Sequence, residues 1–333
     1  MGSVTSARQF VLRPYRGPED HAEMNRVANL VRAADGDPEP SPVAEMTAYY
    51  ARFDQQELRD DCAIAELDGR VIAYVRASWE TLSTGEAGTA GVANVDPAIE
   101  DRDLSLALVR HLVRRARAHR ARTGERGYVR SYAGDRNVQL RAALEAEGFE
   151  VVRAGAQMVR PSLAAIPDIP LPDGFEIRPI DRDDLATIRR VWEADGRAFA
   201  DSYGHEAPTE AVFAAWRTSS TFEPRLWQVA FHGDEIAGQI LNYLGAPEPD
   251  GGRIGFTEAI SVQPEFRRRG LARALLAASL RTVRDAGATR AALGVDSQNP
   301  NQAQQLYASL GYEVVSTFYM YELPEANLAG GGG

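Results

Sequence analysis

ISVQPEFRRRGLARALL, residues 260–276, joins a β-branched run to an alanine- and leucine-rich helical pattern through one proline, three arginines and one glycine. The first turn of a helix favours Asp or Glu, because its unpaired amides and the helix dipole already make that end electropositive. Arg267, Arg268 and Arg269 therefore crowd like charge onto like. The arrangement makes sense if a strongly anionic group from outside the chain sits there, and a strand, a short turn and a helix start form a ready anion site. Gly270 lets a ligand approach the main chain closely, and Ala272 keeps the second wall small. A Walker A loop would need Gly-Lys-Ser/Thr and a Rossmann turn would need further glycines, so the pattern is neither. A pyrophosphate cradle is the sharper reading and an exposed basic helix start the plainer one.

Composition narrows the field. At 333 residues the chain is long for one compact domain and comfortable for two. The net charge of −10 argues against broad attraction to nucleic acid or an anionic membrane, so any phosphate site must be local. All 37 basic residues are arginine, which excludes Schiff-base and P-loop lysine mechanisms. Cys62 is the only cysteine; it excludes an internal disulfide and reads as a small core residue. The histidines at 21, 111, 119, 205 and 232 show no ligand spacing, so no metal site is expected. The first residues carry no leader pattern and no apolar run is long enough to span a bilayer, which points to a cytoplasmic protein.

The chain is written twice. FVLRPY (10–15) answers FEIRPI (175–180), AELDGRVIAY (65–74) answers AFHGDEIAGQ (230–239), and GFEVV (148–152) answers GYEVV (311–315), at offsets between 163 and 165. Two domains follow, residues 10–160 and 174–324, separated by a proline-rich linker at 161–173 that suits a stiff extended form, and followed by a disordered tail at 325–333. In the second copy the pattern predicts a strand at 175–180 and a helix over 181–195 opened by Asp181. A hairpin turning at His232–Asp234 comes next, then a strand ended by Pro264 and the quoted helix. A strand at 289–296, a helix at 301–310 closed by Gly311 and a last strand at 313–323 complete the copy. That order is α/β, with a mixed sheet and helices on its faces.

The quoted segment resembles the acetyl-CoA-binding motif of the GNAT N-acetyltransferase superfamily, whose loop reads Arg/Gln-x-x-Gly-x-Gly/Ala and here is Arg267-Arg268-Arg269-Gly270-Leu271-Ala272. VDSQNPNQAQQLYASLGYEVV (295–315) resembles the family's second acetyl-CoA element. The likeness covers 175–322 well, and in 10–160 only the element order and fragments of motif. It implies two tandem GNAT (acyl-CoA N-acyltransferase) folds and a small amine as acetyl acceptor. It further implies that Ile260, Ser261 and Val262 pair with the pantetheine arm of acetyl-CoA as an added strand, and that amides from Arg268 through Arg273 take the pyrophosphate. Arginine side chains, Arg267 among them, would add charge-assisted bonds to phosphate. Tyr307 matches the general-acid position. Alternation groups Glu258 with Phe256, Ile260 and Val262, where desolvation would raise a carboxylate's pKa. Family members with a glutamate on this strand carry it where this chain has Phe256, so Glu258 either acts as base or holds the amine while water does. The family's asparagine falls at Pro300, leaving Asn299 or Asn301 to make its cofactor contact.

The first copy reads NVDPAIEDRDLSLALVRHL (94–112) where the cradle should be, with Glu100, Asp101 and Asp103 and no Gly-x-Gly/Ala, and Leu144 stands where Tyr307 would align. It keeps the fold and loses acetyl-CoA binding, a layout similar to that of the mycothiol synthases within the superfamily. The basic stretch at 114–126 reads as the solvated face of a core helix. The acceptor is expected against Asp201, Tyr203 and His205 of the loop at 196–210, and against Asn242 and Tyr243. Two other classes stay open: a non-catalytic acyl-CoA-binding module, and a GNAT-like transferase drawing on aminoacyl-tRNA. Sequence leaves the oligomeric state unspecified.

Overall fold

Helices and strands follow one another along the chain in short runs, each with its own hydrophobic period. The computed structural model describes residues 10–36, 40–81, 86–124, 126–199, 209–248, 251–297 and 303–329. In chain order the first half holds β1 (Val11–Pro14), α1 (His21–Ala34), α2 (Val43–Tyr50), α3 (Gln55–Asp61), β2 (Cys62–Leu67), β3 (Arg70–Thr81), β4 (Ala87–Val95), α4 (Arg102–Thr123), β5 (Tyr128–Gly134), α5 (Val138–Ala146) and β6 (Glu150–Arg160). The second holds β7 (Glu176–Arg178), α6 (Leu185–Ala198), α7 (Glu210–Arg217), β8 (Gln228–His232), β9 (Glu235–Leu244), β10 (Ile254–Val262), α8 (Leu271–Asp285), β11 (Arg290–Asp296), α9 (Ala303–Ala308), β12 (Glu313–Glu322) and α10 (Glu325–Ala329). Among the described residues no helix is long and apolar enough to cross a membrane.

The chain divides into two compact units, and the division exchanges a strand end. The first unit ends its first pass at Ala154 and resumes at Ser316; the second is Gly155–Val315. In the first unit the strand order is β1-β2-β3-β4-β5-β12, with β12 antiparallel to β5 from Phe318 opposite Gly134 to Glu322 opposite Arg130. In the second it is β6-β11-β10-β9-β8-β7, with Gly155–Arg160 of β6 antiparallel to β11. The repeat boundaries in the sequence place these two strand ends the other way round.

The first unit's core gathers Leu108 and Leu112 of α4 with Leu140 and Leu144 of α5, and takes Tyr321, Leu323 and Leu328 from the end of the chain. The expected disordered tail is therefore corrected for 325–329: Pro324 and the first-turn Glu325 start a short helix, and Leu328 is buried. The basic face of α4 is an ion-paired surface, with Arg110 bonded to Glu147, Arg115 to Asp61 and Arg122 to Glu57.

The second unit has a core on each face of its sheet. On one face α8 lays Leu271, Leu275, Leu276, Leu280 and Val283 against β9, β10 and β11, each fully buried leucine contributing ~2 kcal/mol. Contact is close enough that a Cβ at Gly255 of β10 would lie 2.6 Å from Val283. On the other face α6 and α7 bury Ile188, Val191, Phe213 and Trp227. Residues 161–173 are no free spacer: Leu163 is buried, its amide donates to Thr289 O at 3.1 Å, and Ile166, Ile169 and Leu171 pack on the α8 core. Helix α6 opens at Asp184, which accepts from the Thr187 amide, rather than at Asp181, which caps the preceding turn by accepting from Asp183 N.

Candidate active site

Pro264 opens a short turn that buries Phe266, and two left-handed backbone positions, Arg268 at φ 64° and Gly270 at φ 84°, then swing the chain into α8. Among the described residues no side chain caps the helix, and no acid stands in its first turn. Among the described residues none accepts a hydrogen bond from the amides of Arg268, Arg269, Gly270, Leu271, Ala272 or Arg273. Among the described residues a Cβ on Gly270 would meet nothing within 4 Å, so backbone angle rather than crowding requires the glycine. Arg267 Nε donates to Val262 O at 3.0 Å and Arg269 folds back to Glu265 O at 3.3 Å, so these two guanidiniums brace the turn. Arg268 and Arg273 are exposed, and among the described residues neither guanidinium has a partner. Leu271 is buried, so only its amide faces the opening.

Strands β10 and β11 pair in parallel only from Ile254 opposite Arg290 to Phe256 opposite Ala292. Beyond that no described strand pairs with β10 on this side, and its register with β9 slips by one residue between Glu258 and Ser261, with Ala259 at φ 48°. A bulge of this kind leaves main-chain groups unpaired and turned outward. Where the two strands part, Thr257 Oγ1 lies 3.1 Å from the Tyr312 hydroxyl. Tyr307 on α9 packs beside Tyr312, ring centroids 6.2 Å apart, and burial pushes its phenol up to about 12. The phenol thus keeps its proton at neutral pH.

The bulge corrects the expected strand face. Alternation groups Phe256, Glu258, Ile260 and Val262, but the extra residue flips the pattern, so Ser261 stands opposite Gln239 while Val262 stands opposite Gly238, under α8. The face toward α6 therefore carries Phe256, Glu258 and Ser261 from β10 and Gln239, Leu241 and Tyr243 from β9. Tyr243 stacks on Phe256, centroids 4.8 Å apart and 9° between planes, and its hydroxyl donates to Glu258 Oε1 at 3.2 Å. The Glu258 carboxyl is open to solvent yet set among enough protein for desolvation to raise its pKa, with the Tyr243 bond working the other way. A group on the wall of an open cleft behaves so.

Two further polar residues stand on this face unannounced by sequence. Asp195 of α6 accepts from Gln239 Nε2 at 3.3 Å, and burial lifts its carboxyl to about 7. The available signal was a carboxylate on the same helical stripe as Ile188 and Val191, with a glutamine inside an apolar strand. Asn242 is fully buried on the opposite face, donating to Leu226 O at 2.7 Å and Ser279 Oγ at 3.1 Å, so its amide ties β9 to the α8 layer and does not face an acceptor. Asp201, Tyr203, His205, Asn299 and Asn301 lie outside the described residues. Cys62 is buried in the first unit with its thiol pushed up to about 12, which keeps it protonated.

A run of free amides at a helix start, a strand edge left open beside it and a phenol at the closed end of the gap fit a ligand with a diphosphate, an extended amide-bearing arm and a thioester at its tip. Acetyl-CoA has that form, and the class of protein is the acyl-CoA-dependent transferases. A model of the acetyltransferase (GNAT) family matches residues 188–312. A mycothiol acetyltransferase from Thermomonospora curvata is 31% identical over 302 residues, 86% of this chain and 95% of the relative. Another, from Salinispora tropica, is 29% identical over 310 residues, 90% of this chain and 93% of the relative. Among solved structures, a GCN5-related N-acetyltransferase from Sphaerobacter thermophilus matches with a TM-score of 0.71 at 22% identity, over 94% of this chain and 95% of that one. A tandem GNAT protein from the clavulanic acid biosynthesis pathway matches at 0.61 and 18%, over 94% and 98%. The chain belongs to the GNAT acetyltransferase family: it is a tandem N-acetyltransferase that moves the acetyl group of acetyl-CoA to an amine.

Proposed function

We propose that the acceptor is a small amine of the kind acted on by the mycothiol acetyltransferases, and that the second unit alone carries out the transfer. The full-length likeness to those enzymes carries the acceptor class; the uncapped amides at the start of α8 carry the assignment to the second unit. Acetyl-CoA supplies the thioester. Main-chain amides of Arg268 through Arg273 hold its diphosphate, with Arg268 and Arg273 adding charge, and the free edge at Ile260, Ser261 and Val262 pairs with its arm. In this pose the thioester lies beside the bulge, and Tyr307 donates its phenolic proton to the departing sulfur. Phe256 occupies the family's glutamate position and stacks on Tyr243, so proton removal from the amine falls to another group on the same face.

Assay of thiol release from acetyl-CoA across a panel of amines, with the mycothiol-type acceptor included and the product amide identified by mass spectrometry, tests this reading. Turnover of that acceptor with at least ~100-fold preference in kcat/KM over simple amines is expected. Tight acetyl-CoA binding with no turnover of any amine would replace it with an acyl-CoA-binding module.

A further inference from the structure

Asp195 is an awkward carboxylate. It stands in the last turn of α6, where the negative end of the helix dipole opposes it, and it is partly buried beside Gln239 of β9. Among the described residues no ion pair reaches it, and Gln239 Nε2 is its hydrogen-bond donor, at 3.3 Å. The neighbourhood is held stiffly: Gln263 Nε2 donates to Ala194 O at 2.7 Å, which ties α6 to the end of β10, and Gln239 is fully buried. It is also short of partners. Among the described residues Gln239 Oε1 and Ser261 Oγ are buried with no hydrogen bond, and these two residues face each other across β9 and β10 at the bulge. Among the described residues of β9 and β10, the titratable groups on the same face are Glu258 and Tyr243, one to two cross-strand pairs further along. An uncompensated carboxylate beside two unmatched acceptors makes a site for a donor-rich cation.

We propose that Asp195 receives the acceptor amine as its ammonium and removes the proton that prevents the nitrogen from attacking, with Gln239 Oε1 and Ser261 Oγ orienting that nitrogen at the bulge. This rests on the acetyl-transfer reading above and adds the group it leaves unassigned. An Asp195 oxygen takes one ammonium proton and later yields it to solvent. The freed nitrogen pair forms the C–N bond to the acetyl carbon, the C–S bond breaks with its electron pair on sulfur, and Tyr307 gives that sulfur its phenolic proton. The second nitrogen proton leaves through water, from which Tyr307 recovers its own. Thiol and amide are formed and one proton is released per turnover. A carboxyl whose burial moves its ionisation toward neutrality suits the task, since it is ionised at working pH and still basic.

The test is the pH dependence of kcat/KM for the amine in wild type, Asp195→Asn and Glu258→Gln, with acetyl-CoA affinity measured on each by calorimetry. Wild type should rise with pH through one ionisation near neutrality. D195N should lose that ionisation and fall ~100-fold at pH 7.5 while acetyl-CoA affinity stays within about twofold, and E258Q should keep the ionisation. A D195N enzyme within about threefold of wild type with the limb intact overturns the proposal and leaves the acetyl-transfer reading standing. If D195N does not fold, Asp195→Glu keeps a carboxylate at a new distance: a displaced midpoint with reduced rate supports the assignment, and an unmoved midpoint overturns it. Absence of acetyl-CoA uptake by the wild type would overturn both readings.

Discussion

Helices α4 and α8 hold the same place in their units, each following a strand that pairs in parallel with the next one, and they begin in opposite ways. Asp101 caps α4 by accepting from the Leu104 amide at 3.0 Å, and Asp103 stands in its first turn. Helix α8 begins at an uncapped Gly270 with arginines on the approach. The strands before them differ too. Pairing of β3 with β4 runs unbroken from Ala73 opposite Val95 to Thr81 opposite Ala87, whereas β10 is bulged at Ala259. At the position of Tyr307 the first unit buries Leu144 in its core. The lesson is that a helix start is an anion site only while the chain leaves its amides free: one carboxylate turns a binding surface into a stabilising cap.

The largest way to break this contrast is Gly270→Glu, which forces a side chain into the left-handed region and sets an acid before the open amides. Acetyl-CoA binding by calorimetry should fall by more than ~100-fold and thiol release should vanish. Tyr307→Phe comes next, with kcat lowered ~100-fold and acetyl-CoA affinity unchanged; because burial holds this phenol near 12, no decline in rate from its ionisation is expected below about pH 11. Asp195 then sharpens the contrast through stability. Its folded pKa of about 7 lies above the ordinary 3.8, so between those values the folded chain keeps a proton that the unfolded chain has lost, and its contribution to stability falls as pH rises through that window. D195N should therefore resist urea better than wild type at pH 8, by ~2 kcal/mol, and lose that advantage near pH 4. Smallest is Asp101→Ala, which should cost ~1 kcal/mol in urea unfolding and leave acetyl-CoA affinity untouched; a change in affinity would mean that the first unit takes part in binding.

What sequence could reveal divides along local and non-local lines. The start of α8 was legible because glycine, arginines and helical spacing lie within seven residues of one another. The repeat and the element order were legible for the same reason. Bulging at Ala259 was not, since it depends on register against β9 and is marked by an alanine where a glycine would have signalled it. Nor was the Asp195–Gln239 pair, whose members are 44 residues apart and each look ordinary in their own element. Asn242 and Tyr243 are neighbours in sequence, but alternation sends them to opposite faces. The exchanged strand ends were illegible on other grounds: GFEVV and GYEVV open β6 and β12 with nearly the same side chains, so neither names its partner.

That exchange bears on how the molecule is made. A nascent chain that has just passed Arg160 has a first unit still lacking Tyr321, Leu323 and Leu328, so the part synthesised first is completed only when β12 leaves the ribosome. Cutting the gene at the proline-rich stretch would leave β6 with the first product and β12 with the second, so that each would carry the strand end the other unit uses, and the seam in the sequence is not the seam of the fold.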